Sequence, residues 1–207
     1  MIIPKSRSLL LCGGKSSRMG VDKAKLPWQK TTLLNHTLGI HKRCIEEVLI
    51  VCAENQDLPA LSYSATILRD RDCAQGPIEG IITGLKYIGA SELPVFVSSC
   101  DLPFLTERWI ESLYSMFDSQ DALIPKDENG NIHPLCGLYS TSTVEIFIQC
   151  KENQQRKLQR VLDRLKVRYL EANEMQAVDP SRKVLTNMNT PFDYQNALNQ
   201  DQLAYLD

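Results

Sequence analysis

No stretch of this sequence approaches the roughly 18 to 20 consecutive apolar residues that a membrane span requires. The first residues, Met1 to Ser8, carry Lys5 and Arg7, and the apolar run behind them lasts about four residues before glycine, so no secretory leader is expected. The cysteines also lack a framework. Seven of them, at 12, 44, 52, 73, 100, 136 and 150, form an odd set with no C-x-x-C pair and no histidine at metal-ligand spacing. This pattern reads as a reducing compartment and excludes a structural zinc. An excess of charge of one sign is missing too. A net charge of -2 and a pI near 6.0 argue against general nucleic-acid binding. No internal repeat, low-complexity tract or long linker is visible. A soluble, cytoplasmic protein is expected, folded as a single domain over residues 1–207, which suffice for one substantial core.

What is present is hydrophobic punctuation of the α/β kind. Apolar residues after Ser8 suggest a buried strand, and Glu47 to Ala53 is a second apolar run with no polar alternation, as in a parallel sheet covered on both faces. Ala65 to Leu68 and Pro94 to Ser99 add two more strands. Between them, Thr31 or Thr32 can cap a helix to about Arg43, and Ile78, Ile81, Ile82, Leu85 and Ile88 form a sheet-facing helical stripe. Thr106 can cap a helix that turns Trp109, Ile110, Leu113, Met116 and Phe117 inward. Ala122 to Pro125, an Asn129-Gly130 turn and Ile132 to Tyr139 predict a local antiparallel addition. Two further helices are expected at Thr143 to Cys150 and Arg156 to Leu165, and a last one at Phe192 to Leu198. The expected architecture is a Rossmann-like three-layer α/β/α fold with a mostly parallel central sheet.

The chemistry gathers first in Ser8 to Leu26, where an apolar run ends in Gly13-Gly14 and is followed by Lys15, Arg18, Lys23 and Lys25. Adjacent glycines let backbone N–H groups approach a ligand where a Cβ would collide, which suits phosphate. It is not a Walker A loop, since the position five before Gly14 is Leu9, and G-x-G-x-x-G is absent. Further along, Gly76-Pro77 and Gly80 open a helix. Asp101 follows the fourth strand, where ligands of open α/β sheets collect, and a carboxylate there either caps the next turn or holds a cation. Asn187 and Asn189 point to one side if extended, so their amides can together hold a ligand, with Asx-turn chemistry before Pro191 as the alternative. The cluster Arg156, Lys157, Arg160, Arg164, Lys166 and Arg168 reads as a solvated helix face, with a landing surface for an anionic substrate as the alternative.

The run from Leu11 to Lys23, LCGGKSSRMGVDK, resembles the nucleotidyltransferase signature in the L-x-G-G-x-S-x-R-M-G-x-D-K form of the molybdenum cofactor guanylyltransferases. Asp70, Gly76-Pro77-Ile78-Glu79-Gly80, Cys100-Asp101-Leu102-Pro103, His133-Pro134-Leu135 and Asn187-Met188-Asn189-Thr190-Pro191-Phe192-Asp193 follow in the same family's order, so the resemblance covers nearly the whole chain. It implies transfer of GMP from GTP to molybdopterin or Mo-molybdopterin, with Mg2+ as cofactor and with cofactor-assembly proteins and molybdoenzyme chaperones as partners.

By the same resemblance, Asp101 holds the metal, and Lys15, Arg18 and Lys23 neutralise the triphosphate. Leu11, Cys12, Gly13, Gly14, Asp70, Gly76 and Gly80 contact the nucleotide, while Asn187, Asn189 and His133 face the acceptor. The chain departs from the family at Cys52, where many members carry Asn, and Asn55 is the nearest amide able to replace it. Rival readings are a related enzyme for CTP or a sugar-phosphate acceptor, and a nucleotide-binding regulator without turnover.

Overall fold

The structure, a computed structural model, describes residues 1–12, 21–70 and 76–203. In chain order these form β1 (Ile3–Leu11), the short pair β2 (Pro27–Trp28) and β3 (Thr31–Thr32), α1 (Leu33–Cys44), β4 (Ile45–Ala53), β5 (Thr66–Asp70), α2 (Pro77–Ile88) and β6 (Val95–Ser99). There follow α3 (Glu107–Met116), β7 (Ala122–Pro125), β8 (Cys136–Tyr139), α4 (Val144–Glu152), α5 (Leu158–Leu162), β9 (Val167–Leu170), α6 (Ala172–Met175) and α7 (Pro191–Leu203). The seven-stranded sheet has the order β5-β4-β1-β6-β8-β7-β9.

Alternation along β1 produces the three layers. Leu10 joins Ile50 and Phe96 in one cluster with Leu34 and Leu38 of α1 and Trp109, Ile110 and Leu113 of α3. Leu9 and Leu11 point the other way, joining Leu49, Val51, Val95 and Val97 with Ile78, Ile81, Ile82 and Leu85 of α2 and Phe147 of α4. From Ser8 to Leu11 both faces of β1 are therefore buried, as the apolar run Leu9–Leu11 requires. Each such Leu or Ile contributes about 1.5–3 kcal/mol of burial. The α2 layer lies close to β1: a Cβ on Gly84 would stand 2.4 Å from Leu9 Cδ2. Thr32 caps α1 by accepting from the Asn35 N–H, and Thr106 caps α3 by accepting from Trp109. A smaller cluster of Leu26, Trp28, Leu33, Met188 and Ala197 ties α7 to the segment before α1.

The expected local antiparallel addition is present, since β7 and β8 pair antiparallel. Only β8 is reversed; it sits between β6 and β7, antiparallel to both, and β7 pairs in parallel with β9. The strand expected from Ile132 begins at Cys136, because residues 133–136 close a turn in which the Cys136 N–H donates to His133 O at 3.1 Å. The helix expected over 156–165 is helical only at Leu158–Leu162. Among the described residues, no helix is long and apolar enough to cross a membrane.

Candidate active site

The chain leaves β1 for β4 on one side and reaches β6 on the other, so the C-terminal ends of these strands flank a topological switch point. A cavity of about 620 Å³ opens there. Leu11 and Cys12 line it from β1, Val51 and Cys52 from β4, Asp70 from β5, and Ser99, Cys100 and Asp101 from β6. Gly76, Pro77 and Gly80 bring the N-terminus of α2 to the same space. Gly76 has φ 84°, a left-handed conformation that favours glycine, and Pro77 takes the first helical position, where its missing N–H costs nothing.

Lys23 crosses the cavity edge. Asp22 caps a short 3-10 turn, Lys23–Lys25, by accepting from Ala24 N–H at 3.0 Å. From that turn Lys23 Nζ donates to Asp101 Oδ2 at 2.6 Å and to Asn189 Oδ1 at 3.1 Å. Ser99 Oγ donates to the other oxygen of Asp101. Both members of the ion pair are mostly enclosed, with side-chain exposures of 18% and 14%, which strengthens their attraction relative to a surface pair. The C-terminal segment is anchored by the Met188 N–H, which donates to Asp101 O at 3.2 Å. It continues into a reciprocal cap: Thr190 N–H donates to Asp193 Oδ2 at 2.8 Å, and Asp193 N–H donates to Thr190 Oγ1 at 3.1 Å. These bonds, the Thr190 side chain first, with the nearby Lys23 charge adding to them, hold the Asp193 carboxyl below the usual carboxylate range.

The remaining wall comes from residues 131–136 together with Asp127. Asp127 Oδ1 accepts from the N–H groups of Asn129 and Asn131, and Oδ2 accepts from Asn131 Nδ2 at 3.0 Å and lies 3.1 Å from His133 Nε2. Desolvation raises this carboxyl, but the hydrogen bonds from Asn131, His133 and Asn129 outweigh it and bring Asp127 down to about 2. His133 is thus oriented by a carboxylate. Three thiols of the cavity, Cys12, Cys52 and Cys136, are poor nucleophiles. Burial, followed by the hydrogen bond with Cys100, pushes the Cys12 thiol well up, and burial raises Cys52 and Cys136 in the same direction. The six described cysteines are all free.

Leu11, Cys12, Lys23, Asp70, Gly76, Gly80, Asp101, His133, Asn187 and Asn189, all singled out in the sequence, therefore line one cavity. Gly13, Gly14, Lys15 and Arg18 lie outside the described residues. Asn55 is not part of the lining; the neighbouring amide, Gln56, turns toward Cys12 O and Asp22 instead. Of the basic cluster, Arg160 pairs with Asp163, Arg164 with Gln149 and Arg168 with Glu174, as on a solvated face. Sequence reasoning passed over Ser99, whose hydroxyl beside Asp101 gave no pattern, and Asp127, which read as an ordinary turn residue. Among the described residues no group of three or more His, Cys, Asp or Glu gathers as a metal site. Asp101 is a single carboxylate with a cation already seated against one oxygen.

Comparison with known proteins places these features in context. A family model for a MobA-like NTP transferase domain matches residues 8–169. A probable molybdenum cofactor guanylyltransferase of Mycobacterium avium (strain 104) is 30% identical over 188 residues, covering 89% of this chain and 91% of that protein. The crystal structure of molybdopterin-guanine dinucleotide biosynthesis protein A from Archaeoglobus fulgidus superposes with a TM-score of 0.82 at 26% identity, covering 95% of this chain and 98% of the other. At 17% identity, the 2-C-methyl-D-erythritol 4-phosphate cytidylyltransferase of Thermus thermophilus shares the fold, with a TM-score of 0.69 over 95% of this chain and 99% of that one.

Proposed function

Because the chain belongs to the MobA-like NTP transferase family and is a nucleotidyltransferase, we propose that it transfers GMP from GTP to the terminal phosphate of molybdopterin or Mo-molybdopterin. An oxygen of the acceptor phosphate attacks the α-phosphorus of GTP. The new P–O bond replaces the α–β anhydride bond, and pyrophosphate carries away the electron pair. The acceptor phosphate is anionic at neutral pH, so no base has to generate a nucleophile. The barrier is repulsion between two anions, and the protein contributes positioning and charge neutralisation.

The observation that carries this reading is the Lys23–Asp101–Asn189 network at the switch point, in a cavity lined also by Asp70 and the N-terminus of α2. Lys23 neutralises the triphosphate and the departing pyrophosphate, and Lys15 and Arg18, placed in this role by the sequence signature, add to it. Leu11, Cys12 and Gly13 contact the base and ribose, and Gly14, Asp70, Gly76 and Gly80 are further nucleotide contacts. Asn187, Asn189 and His133 face the acceptor.

The chemistry of Asp101 is compatible with Mg2+ held jointly with substrate phosphates. Asp101 offers hard oxygen donors, Lys23 already shows that Oδ2 accepts a cation at 2.6 Å, and this metal is commonly held by one or two carboxylates together with substrate phosphates and water. Held by Asp101, Mg2+ would supply charge neutralisation for the reacting phosphates. A cytoplasmic setting, and delivery of the product to molybdoenzyme chaperones by way of cofactor-assembly proteins, belong to the same reading.

Equilibrium titration tests the nucleotide half of the proposal. GTP is expected to bind at least roughly tenfold more tightly than CTP, a difference of about 1.4 kcal/mol. Tighter binding of CTP would favour a relative with another base preference, equal affinities would contradict guanine selection at binding, and GTP binding with no turnover on any pterin acceptor would favour a regulator.

A further inference from the structure

The turn after β4 reaches across to both flanks of the 13–20 segment. Gln56 Oε1 accepts from the Ala53 N–H at 3.2 Å, which leaves its amide nitrogen facing three acceptors. These are Cys12 O at 3.1 Å, Asp22 Oδ1 at 3.1 Å and Asp22 Oδ2 at 3.0 Å. The orientation of the amide is dictated by its partners: one donor and three acceptors can be matched in only one way. Cys12 immediately precedes residues 13–20 and Asp22 lies two residues beyond them. One side chain thus joins both posts between which the signature segment runs.

Support for the turn comes from β5 and from the neighbouring residue. Arg69 Nη1 donates to Gln56 O and, at 3.3 Å, to Ala53 O. Asp57 pairs with Lys25 at 2.7 Å, a second tie from the same turn to the 3-10 segment. The chain of contacts then runs from Gln56 to Asp22, from Asp22 to the Ala24 N–H, and through that capped turn to Lys23 and Asp101.

We propose that Gln56 is a positioning residue for nucleotide binding: by holding Cys12 O and the Asp22 carboxylate together, it sets where Lys23 meets Asp101 and how far apart the flanks of residues 13–20 stand. Gln56 does not line the cavity, so it acts through these partners. The inference rests on the nucleotidyltransferase reading for its consequence and on geometry alone for the clamp. A carboxylate at position 56 cannot donate to either partner and sets two like charges side by side. Exchanging the pair, with Glu at 56 and Asn at 22, restores a donor facing an acceptor, while the new amide oxygen at position 22 can still accept from the Ala24 N–H.

The test uses the full chain and its Gln56→Ala, Gln56→Glu, Gln56→Glu/Asp22→Asn and Asp57→Asn variants. Without nucleotide, amide hydrogen exchange at Ala24 is expected to quicken by at least roughly tenfold in Gln56→Ala, with the central strands still protected. With GTP, Gln56→Glu is expected to raise Kd by at least about tenfold and the double variant to recover most of that loss, whereas Asp57→Asn should stay within about twofold, because the Asp57 side chain is 89% exposed and its amide replacement can still accept from Lys25. A role confined to general stability would show no such recovery. Unchanged exchange at Ala24 in Gln56→Ala, or a Gln56→Glu Kd equal to that of the parent, would overturn the proposal. If the parent chain bound none of the four nucleoside triphosphates, the functional reading would fall, and the Ala24 measurement would still decide whether Gln56 clamps the two flanks.

Discussion

Lys23 and Asp101 stand 78 residues apart in the chain and meet at 2.6 Å, so the two groups to which the proposal gives the phosphates and the metal hold each other in the substrate-free fold. This contact has two sides. It keeps both groups at the cavity edge, and it occupies the oxygen that the proposed Mg2+ needs.

Lys23→Ala is therefore expected to move two affinities in opposite directions. GTP binding weakens by at least roughly tenfold, while Mn2+, used as a spectroscopic stand-in, binds the nucleotide-free protein more tightly because Asp101 is released. Asp101→Asn is expected to reduce pyrophosphate release by about a thousandfold or more and to abolish the Mn2+ signal. Its melting temperature should stay within a few degrees, since the amide oxygen that replaces the carboxylate can still accept from Lys23. Tighter Mn2+ binding in Asp101→Asn would remove the metal assignment.

Asp127 organises the opposite wall by accepting from Asn129, Asn131 and His133. Asp127→Ala is expected to raise KM for the pterin acceptor by about tenfold with GTP affinity nearly unchanged, because the loosened wall carries His133, which the proposal assigns to the acceptor. A change confined to GTP binding would place the wall on the nucleotide side.

His41 gives the fold an acid sensitivity. It is fully buried between Ser8 Oγ at 2.8 Å and Ser98 Oγ at 2.9 Å, and burial lowers its pKa to about 3. The unfolded chain takes up this proton near pH 6.5 and the folded chain only near 3, so stability is intact above that window and is lost as pH falls through it. The slope approaches about 1.4 kcal/mol per pH unit. Urea unfolding at pH 7 and pH 5 should show the loss, and His41→Gln, which can still bridge the two serines, should reduce the slope by nearly one proton.

Much of this site could be read from residue order because its parts sit where strands end. Leu11 and Asp70 end β1 and β5, Asp101 stands two residues past β6, and the Gly76-Pro77 turn announces α2 by its own backbone chemistry. Gln56 escaped notice because a glutamine in a turn has no pattern; its meaning depends on Asp22 and Cys12 arriving beside it in the folded chain. The edge strand Val167–Leu170 was missed for a related reason. Arg168 interrupts its apolar residues, and its pairing with β7 is supplied only by tertiary contact. The insertion of β8 between β6 and β7 is a long-range choice as well, since a hairpin pattern alone leaves the outer neighbour of each strand undetermined.

The most direct test of the central claim is the mass of the product formed when the protein, Mg2+ and molybdopterin are incubated in turn with each of the four nucleoside triphosphates. The account predicts a GMP-linked pterin dinucleotide and stoichiometric pyrophosphate with GTP, both lost in Asp101→Asn. A CMP-linked product in its place, or no transfer from any nucleotide, would contradict it.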